Sequence, residues 1–133
     1  MKRLPLSANN KSMNVFKFGG ASVKDADAVK NVRSILELYK GKKLGVVISA
    51  MGKTTNAMES IVEALWKREE ALFSELVEER RAFHLSIMNE LFSNAENEIF
   101  AVINAQFDEL LAKFNDPVPD NYDFEYDQIV SLG

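Results

Sequence analysis

The chain of 133 residues and 15.0 kDa is 47% apolar, enough to bury a core, and one core is the expectation at this length. A net charge of -4 and an isoelectric point near 5.1 argue against a general nucleic-acid binder, which needs Lys and Arg gathered on one face. With no cysteine and one histidine, disulfide frameworks and thiolate or histidine-rich zinc sites are excluded. No apolar run approaches the roughly 18 residues of a membrane span, and no secretory signal opens the chain, so the expectation is a cytoplasmic protein with no membrane partner.

Residues 1–14 turn polar after Met1-Lys2-Arg3-Leu4-Pro5-Leu6 and read as a loosely held leader. Val15 to Phe18 is a short strand, apolar except for Lys17, that stops in the pair Gly19-Gly20. Paired glycines let backbone N–H groups approach a bulky anion, and a helix following them would aim its positive end at the same spot, which is phosphate-binding chemistry. Val23, Ala26, Val29, Val32, Leu36 and Tyr39 recur every three or four residues, predicting an amphipathic helix over Ser22 to Tyr39 with Ser22 as its N-cap, ended by Gly41. Leu44 to Ile48 is a second strand. Strand, helix, strand implies a right-handed crossover and a parallel pair.

Beyond Asn56 the apolar residues keep a helical period to Ser93. An unbroken helix of that length would reach roughly 50 Å, so a break is expected at Arg68 to Glu70. Ser93-Asn94-Ala95-Glu96 reads as a capping box opening a helix through Phe114, the stretch Asn115 to Asn121 as a stiff loop, and Tyr122 to Gly133 as a last helical segment. The plain expectations are a core position for Trp66 and the phenylalanines, a packed or surface role for His84, and a solvated face for Glu75, Glu78, Glu79, Arg80 and Arg81.

Three stretches could carry chemistry. Lys17 is costly to bury without an anion, so it either serves a ligand or decorates a strand edge. Ser49 to Asn56 lies beyond the end of the second strand, where ligands gather in open α/β sheets. Gly52-Lys53-Thr54 is no P-loop, because Val47 stands where that motif needs a glycine. The third stretch is Asp127 to Gly133, ordinary helix-end residues on their own.

Taken together, Lys17-Phe18-Gly19-Gly20, the block Ser49-Ala50-Met51-Gly52 with Thr55 and Asn56, and Ser131-Leu132-Gly133 resemble, in order, three signatures of the aspartate kinases within the amino-acid kinase family. Ala21 stands where a threonine is more usual. The resemblance implies an α/β fold of the three-layer αβα kind, of which this chain would be the N-terminal part. Residues 15–56 would form the strand-helix-strand unit with its phosphate and substrate loops, and residues 57–133 a mainly helical subdomain. It also implies transfer of the ATP γ-phosphoryl group, with Mg²⁺, to the β-carboxylate of L-aspartate. Lys17 would be catalytic, contacting the transferring group, and Lys17, Phe18, Gly19 and Gly20 would bind phosphate. Ser22, Ser49 and Thr55 would hold the substrate, no residue here would ligate metal, and the full-length enzyme would be a homo-oligomer.

By the same resemblance, the residue after Gly133 would be a substrate-binding glutamate and Met13 the native start. The remaining adenine, substrate and regulatory segments would lie beyond Gly133, so these 133 residues alone are expected to be inactive. Two alternatives stay open from the sequence. One is a glutamate or acetylglutamate kinase; the other is a non-enzymatic helical interaction module, whose long apolar stripe would dock a partner.

Overall fold

The structure, a computed structural model, describes residues 13–93, 98–118 and 120–133. Strand β1 (Asn14–Phe18) leads through a 3-10 turn (Gly20–Val23) into α1 (Ala26–Glu37), and β2 (Leu44–Ile48) follows. Helices α2 (Thr54–Trp66), α3 (Glu70–Leu91), α4 (Glu98–Ala112) and α5 (Tyr122–Val130) complete the chain, with a 3-10 turn at Lys113–Asn115 after α4. No described helix is long and apolar enough to cross a membrane. Of the expected leader, residues 1–12 lie outside the described residues. Asn14 already belongs to β1, its N–H donating to the Lys43 carbonyl at 3.1 Å.

The two strands pair in parallel, Asn14 opposite Leu44 through Phe18 opposite Ile48. Side chains alternate across a strand, so β1 turns Phe16 and Phe18 to one face and Val15 and Lys17 to the other. The first face packs with Val23, Val29, Val32, Ile35 and Leu36, the apolar stripe of α1 and its approach. Val15 and Lys17 on the second face are exposed. Strand β2 is open as well, with Val47 at 52% and Ile48 at 57% exposure.

Ser22 is not the cap of α1. The helix starts three residues later than its periodicity suggests, because Asp25 takes an extended conformation and its carboxylate accepts from the Ala28 N–H at 2.8 Å. A carboxylate at this position satisfies an orphan donor and complements the helix dipole, an effect reinforced by Asp27 in the first turn. Ser22 instead sits inside the 3-10 turn, its N–H donating to the Gly19 carbonyl at 2.8 Å.

The main core lies in the helical region, where Ile61, Leu65, Phe73, Val77, Leu110 and Ile129 are fully enclosed. The expected break falls between Trp66 and Glu70, with Arg68 at φ 57° and its guanidinium 4.3 Å over the Phe114 ring. Helix α5 is capped by the Asn121 side chain accepting from the Phe124 N–H, and is tied to α2 by the Tyr126 hydroxyl, which donates to the Glu59 carboxylate at 2.7 Å.

Some sequence expectations fail here. Trp66 is 38% exposed, edge-on to Tyr122 at 5.3 Å, and Phe124 is exposed outright. Both lie on helix faces turned away from the buried seam, and single exposed aromatics are common on folded proteins. Nor is the face carrying Arg80 and Arg81 simply solvated. The Arg81 side chain, only 14% exposed, pairs with Asp108 of α4 at 2.7 Å and lies 5.6 Å over the Phe107 ring, while Arg80 stacks on Phe83 at 4.6 Å. A planar guanidinium can cover an aromatic ring and still reach a carboxylate, which sequence spacing on one helix does not reveal. The capping box expected at Ser93 to Glu96 falls largely outside the described residues.

Candidate functional site

Parallel pairing brings both strand ends to one side, and the Ser49 N–H donates to the Phe18 carbonyl at 2.9 Å, carrying the ladder one step into the loops. There the two glycine stretches meet. A Cβ on Gly20 would lie 2.9 Å from the Gly52 carbonyl oxygen and 3.3 Å from that of Ala50, so only glycine allows this approach. Gly19, extended at φ -77° and ψ 174°, has nothing within 4 Å of its Cβ direction. One glycine is thus packed against the second loop while its neighbour borders open space.

The helix end that faces this junction is not the one the sequence suggested. The N-terminus of α1 is occupied by Asp25, whereas α2 has Lys53 at its N-cap position, no side-chain cap and no acid in its first turn. The positive pole left without a capping side chain at this junction is therefore that of α2. Its first two residues differ in situation. Thr54, 1% exposed, donates its hydroxyl to the Met51 carbonyl at 2.5 Å, a local structural bond, while Thr55 is exposed.

The third stretch returns to the same place. A Cβ on Gly133 would come 3.1 Å from Thr54 Cγ2 and 3.2 Å from Met58 Cγ, so the last residues pack on the opening turn of α2. All three sequence blocks converge beyond the carboxyl ends of the strands, although more than 100 residues separate the first from the last.

The other candidate residues fall around this junction. Lys17 is exposed on the open face of β1, opposite Val47 in register. The Phe18 side chain is core, leaving its backbone as the part available to a ligand. Ser22 is half-buried in the 3-10 turn, and Ser49 is exposed at the strand end. Among the described residues no three His, Cys, Asp or Glu come together as metal ligands.

Behind the start of α2 lies a cavity of about 60 Å³ bordered by Thr54, Met58, His84, Phe107, Leu110 and Leu132. His84 is half-buried, its Nδ1 2.9 Å from the Arg80 carbonyl, and burial holds its imidazole below the usual histidine range. Sequence reasoning missed Phe83. The ring of this α3 residue sits under Gly52, which has φ +56° and whose Cβ would come 3.1 Å from Phe83 Cζ. The doublet of Gly52 with a polar loop was a visible turn signal, but nothing local marked its partner 31 residues later.

Residues 12–131 match the amino acid kinase family, which is most of the chain, and the chain belongs to that family. It is similar to Aspartokinase 2 of Bacillus subtilis (strain 168), with 43% identity over 53 residues, 38% of this chain and 13% of that protein. It is also similar to Aspartokinase 2, chloroplastic, of Arabidopsis thaliana, with 43% identity over 44 residues, 33% of this chain and 8% of that protein. The chain thus spans only a small part of the length of these relatives.

Proposed function

We propose that the chain is the N-terminal part of an aspartate kinase, transferring the ATP γ-phosphoryl group to the β-carboxylate of L-aspartate to give 4-phospho-L-aspartate. The observation that carries this reading is the convergence of the Gly20 turn, the Gly52 turn and the Gly133 end at the start of α2. In that arrangement the Gly19-Gly20 backbone cradles the phosphates, and the Lys17 ammonium offsets charge that develops on the transferring group. Ser22, Ser49 and Thr55 hold the amino-acid substrate, with the Thr55 hydroxyl at the open, positive end of α2. Nothing lies within 4 Å of the Cβ direction of Gly19, which leaves its backbone open to a phosphate. The described residues offer no carboxylate cluster fitted to Mg²⁺, so no step is assigned through a metal held by this chain.

The same geometry supports the inactivity of these residues alone. Lys17 stands on an uncovered sheet face, and phosphoryl transfer depends on enclosing the reacting groups and spreading charge stabilisation over several donors. Among the described residues Ile61, Leu65, Phe73, Val77, Leu110 and Ile129 pack on one another in an internal core, while Trp66, Leu72, Val102 and Phe124 stay exposed; the enclosed set favours the kinase reading over a helical docking module. A homo-oligomeric, cytoplasmic full-length enzyme belongs to the same proposal.

ADP release by the full-length protein, measured with L-aspartate, L-glutamate and N-acetylglutamate, tests it. Aspartate should be preferred. Lys17→Met should lower kcat by at least about 100-fold, the scale of removing one preorganised charge, and Thr55→Val should raise KM for the amino acid more than for ATP. Preference for glutamate or acetylglutamate, or full activity of Lys17→Met, would overturn the assignment; turnover by the 133 residues alone would overturn the inactivity.

A further inference from the structure

We infer that Phe83 is a positioning residue for the paired glycine loops, an inference that rests on the kinase reading and extends it to a helix outside the three sequence blocks. Gly52 holds a left-handed conformation at φ +56° directly against the Phe83 ring, with Cζ 3.1 Å and Cε1 3.8 Å from its Cβ direction. The Gly52 carbonyl oxygen in turn stands 2.9 Å from the Cβ direction of Gly20. Phe83, Gly52 and Gly20 therefore form a stack in which the ring sets how far the second loop can retreat from the first.

The ring is itself fixed. The Arg80 guanidinium lies 4.6 Å over its centroid and His84 meets it edge-on at 5.3 Å. Arg80 Nε is buried without a hydrogen-bond partner, so the stacking contact is what the structure shows holding that end of the guanidinium in place. Helix α3 reaches into the main core through Phe73 and Val77, which makes Phe83 the point where the rigid helical region meets the loops. Truncating the ring opens space beneath Gly52, the loop settles into it, and the separation of the Gly20 and Gly52 backbones changes. Misplacement of reacting groups by about 1 Å is enough to cost on the order of 100-fold in rate.

The test compares Phe83→Ala with Val77→Ala, a core control on the same helix, in the full-length protein. Phe83→Ala should raise KM for ATP about tenfold and lower kcat, effects on the scale that loop misplacement produces. Val77→Ala should lower the melting temperature and leave KM within about twofold, as expected for a core change remote from the site. Gly52→Ala should also lose activity, and adding Phe83→Leu, which withdraws Cζ, should restore part of it. Amide resonances of Gly19, Gly20 and Ala50 in the 133-residue chain give a readout without turnover: Phe83→Ala should shift them and Val77→Ala should not. Unchanged KM and unshifted amides in Phe83→Ala, or a raised KM and shifted amides in Val77→Ala equal to those in Phe83→Ala, would overturn the inference. Shifted amides in a protein that fails to phosphorylate aspartate would leave Phe83 positioning the loops and remove only the kinase reading.

Discussion

Residues 14–48 and residues 54–133 differ in how they use apolar side chains. The helical region closes around Phe73, Ile61, Leu65, Leu110 and Ile129, all fully enclosed. The sheet region buries little beyond Phe18, Val23 and Val32, and leaves Val15, Val47 and Ile48 in the open. Hydrophobic burial is the dominant favourable contribution to folding, so stability resides in the helices. The glycine loops, Lys17 and Ser49 are held by the part with the thinner core. On the proposed kinase reading this fits the rule that ligand-binding loops are drawn from low-stability regions; the glycine loops lean on the helices through Gly52 and Phe83.

Three substitutions would break or sharpen this contrast. Phe73→Ala empties the centre of the helical core and should destabilise by about 3–5 kcal/mol, enough to unfold both regions, as read from denaturant titration by circular dichroism. Survival of the helical signal would mean that stability is shared more evenly. Gly20→Ala should come next, since its methyl meets two carbonyl oxygens at 2.9 and 3.3 Å, and overpacking of this kind costs about 1–3 kcal/mol. Gly19→Ala, with open space around it and an ordinary φ of -77°, should stay within about 0.5 kcal/mol. Equal melting temperatures for the two alanine variants would contradict the back-to-back packing of the loops.

The smallest effect concerns His84. Burial lowers its pKa, with the Arg80 charge acting in the same direction and the contact with the Arg80 carbonyl opposing. The unfolded chain therefore takes up this proton at higher pH than the folded chain. The stabilisation from neutral His84 is complete above about pH 6.5 and is lost as pH falls below that value. His84→Gln should flatten the difference between urea midpoints measured at pH 7.5 and pH 5.5. An unchanged pH dependence would show that the carboxylates, not this imidazole, govern it.

Much of the architecture was legible. Val15 to Phe18 and Leu44 to Ile48 announced strands through short apolar runs, and the break near Arg68 followed from the length of the helical period. What was not legible depended on partners distant in sequence. Asp25 displaced Ser22 as cap because a carboxylate with Asp27 behind it serves the helix end better than a hydroxyl set in a glycine turn. Arg81 looked solvated until Asp108 and Phe107 of α4 came beside it. In the site, the residues of each block could be read, but not that Gly133 would rest on Thr54 or that Phe83 would sit beneath Gly52. Thr54 and Thr55 are equivalent as letters, and only burial separates the local hydroxyl bond of the first from the open position of the second.

The register that sets Asn14 opposite Leu44 also has a meaning in time. Closing the parallel pair brings together residues about thirty apart, and the entropy of closing such a loop must be met before any strand contact forms. Contacts within α2 and α3 are local and can form within about a microsecond, whereas non-local pairing of parallel strands is intrinsically slow. Gly20 can reach its final distance from Gly52 only when the strands are zipped and α3 has brought Phe83 underneath. Residues 14–48 are in this sense finished after the helices that follow them in the chain, and they take their shape in part from α3.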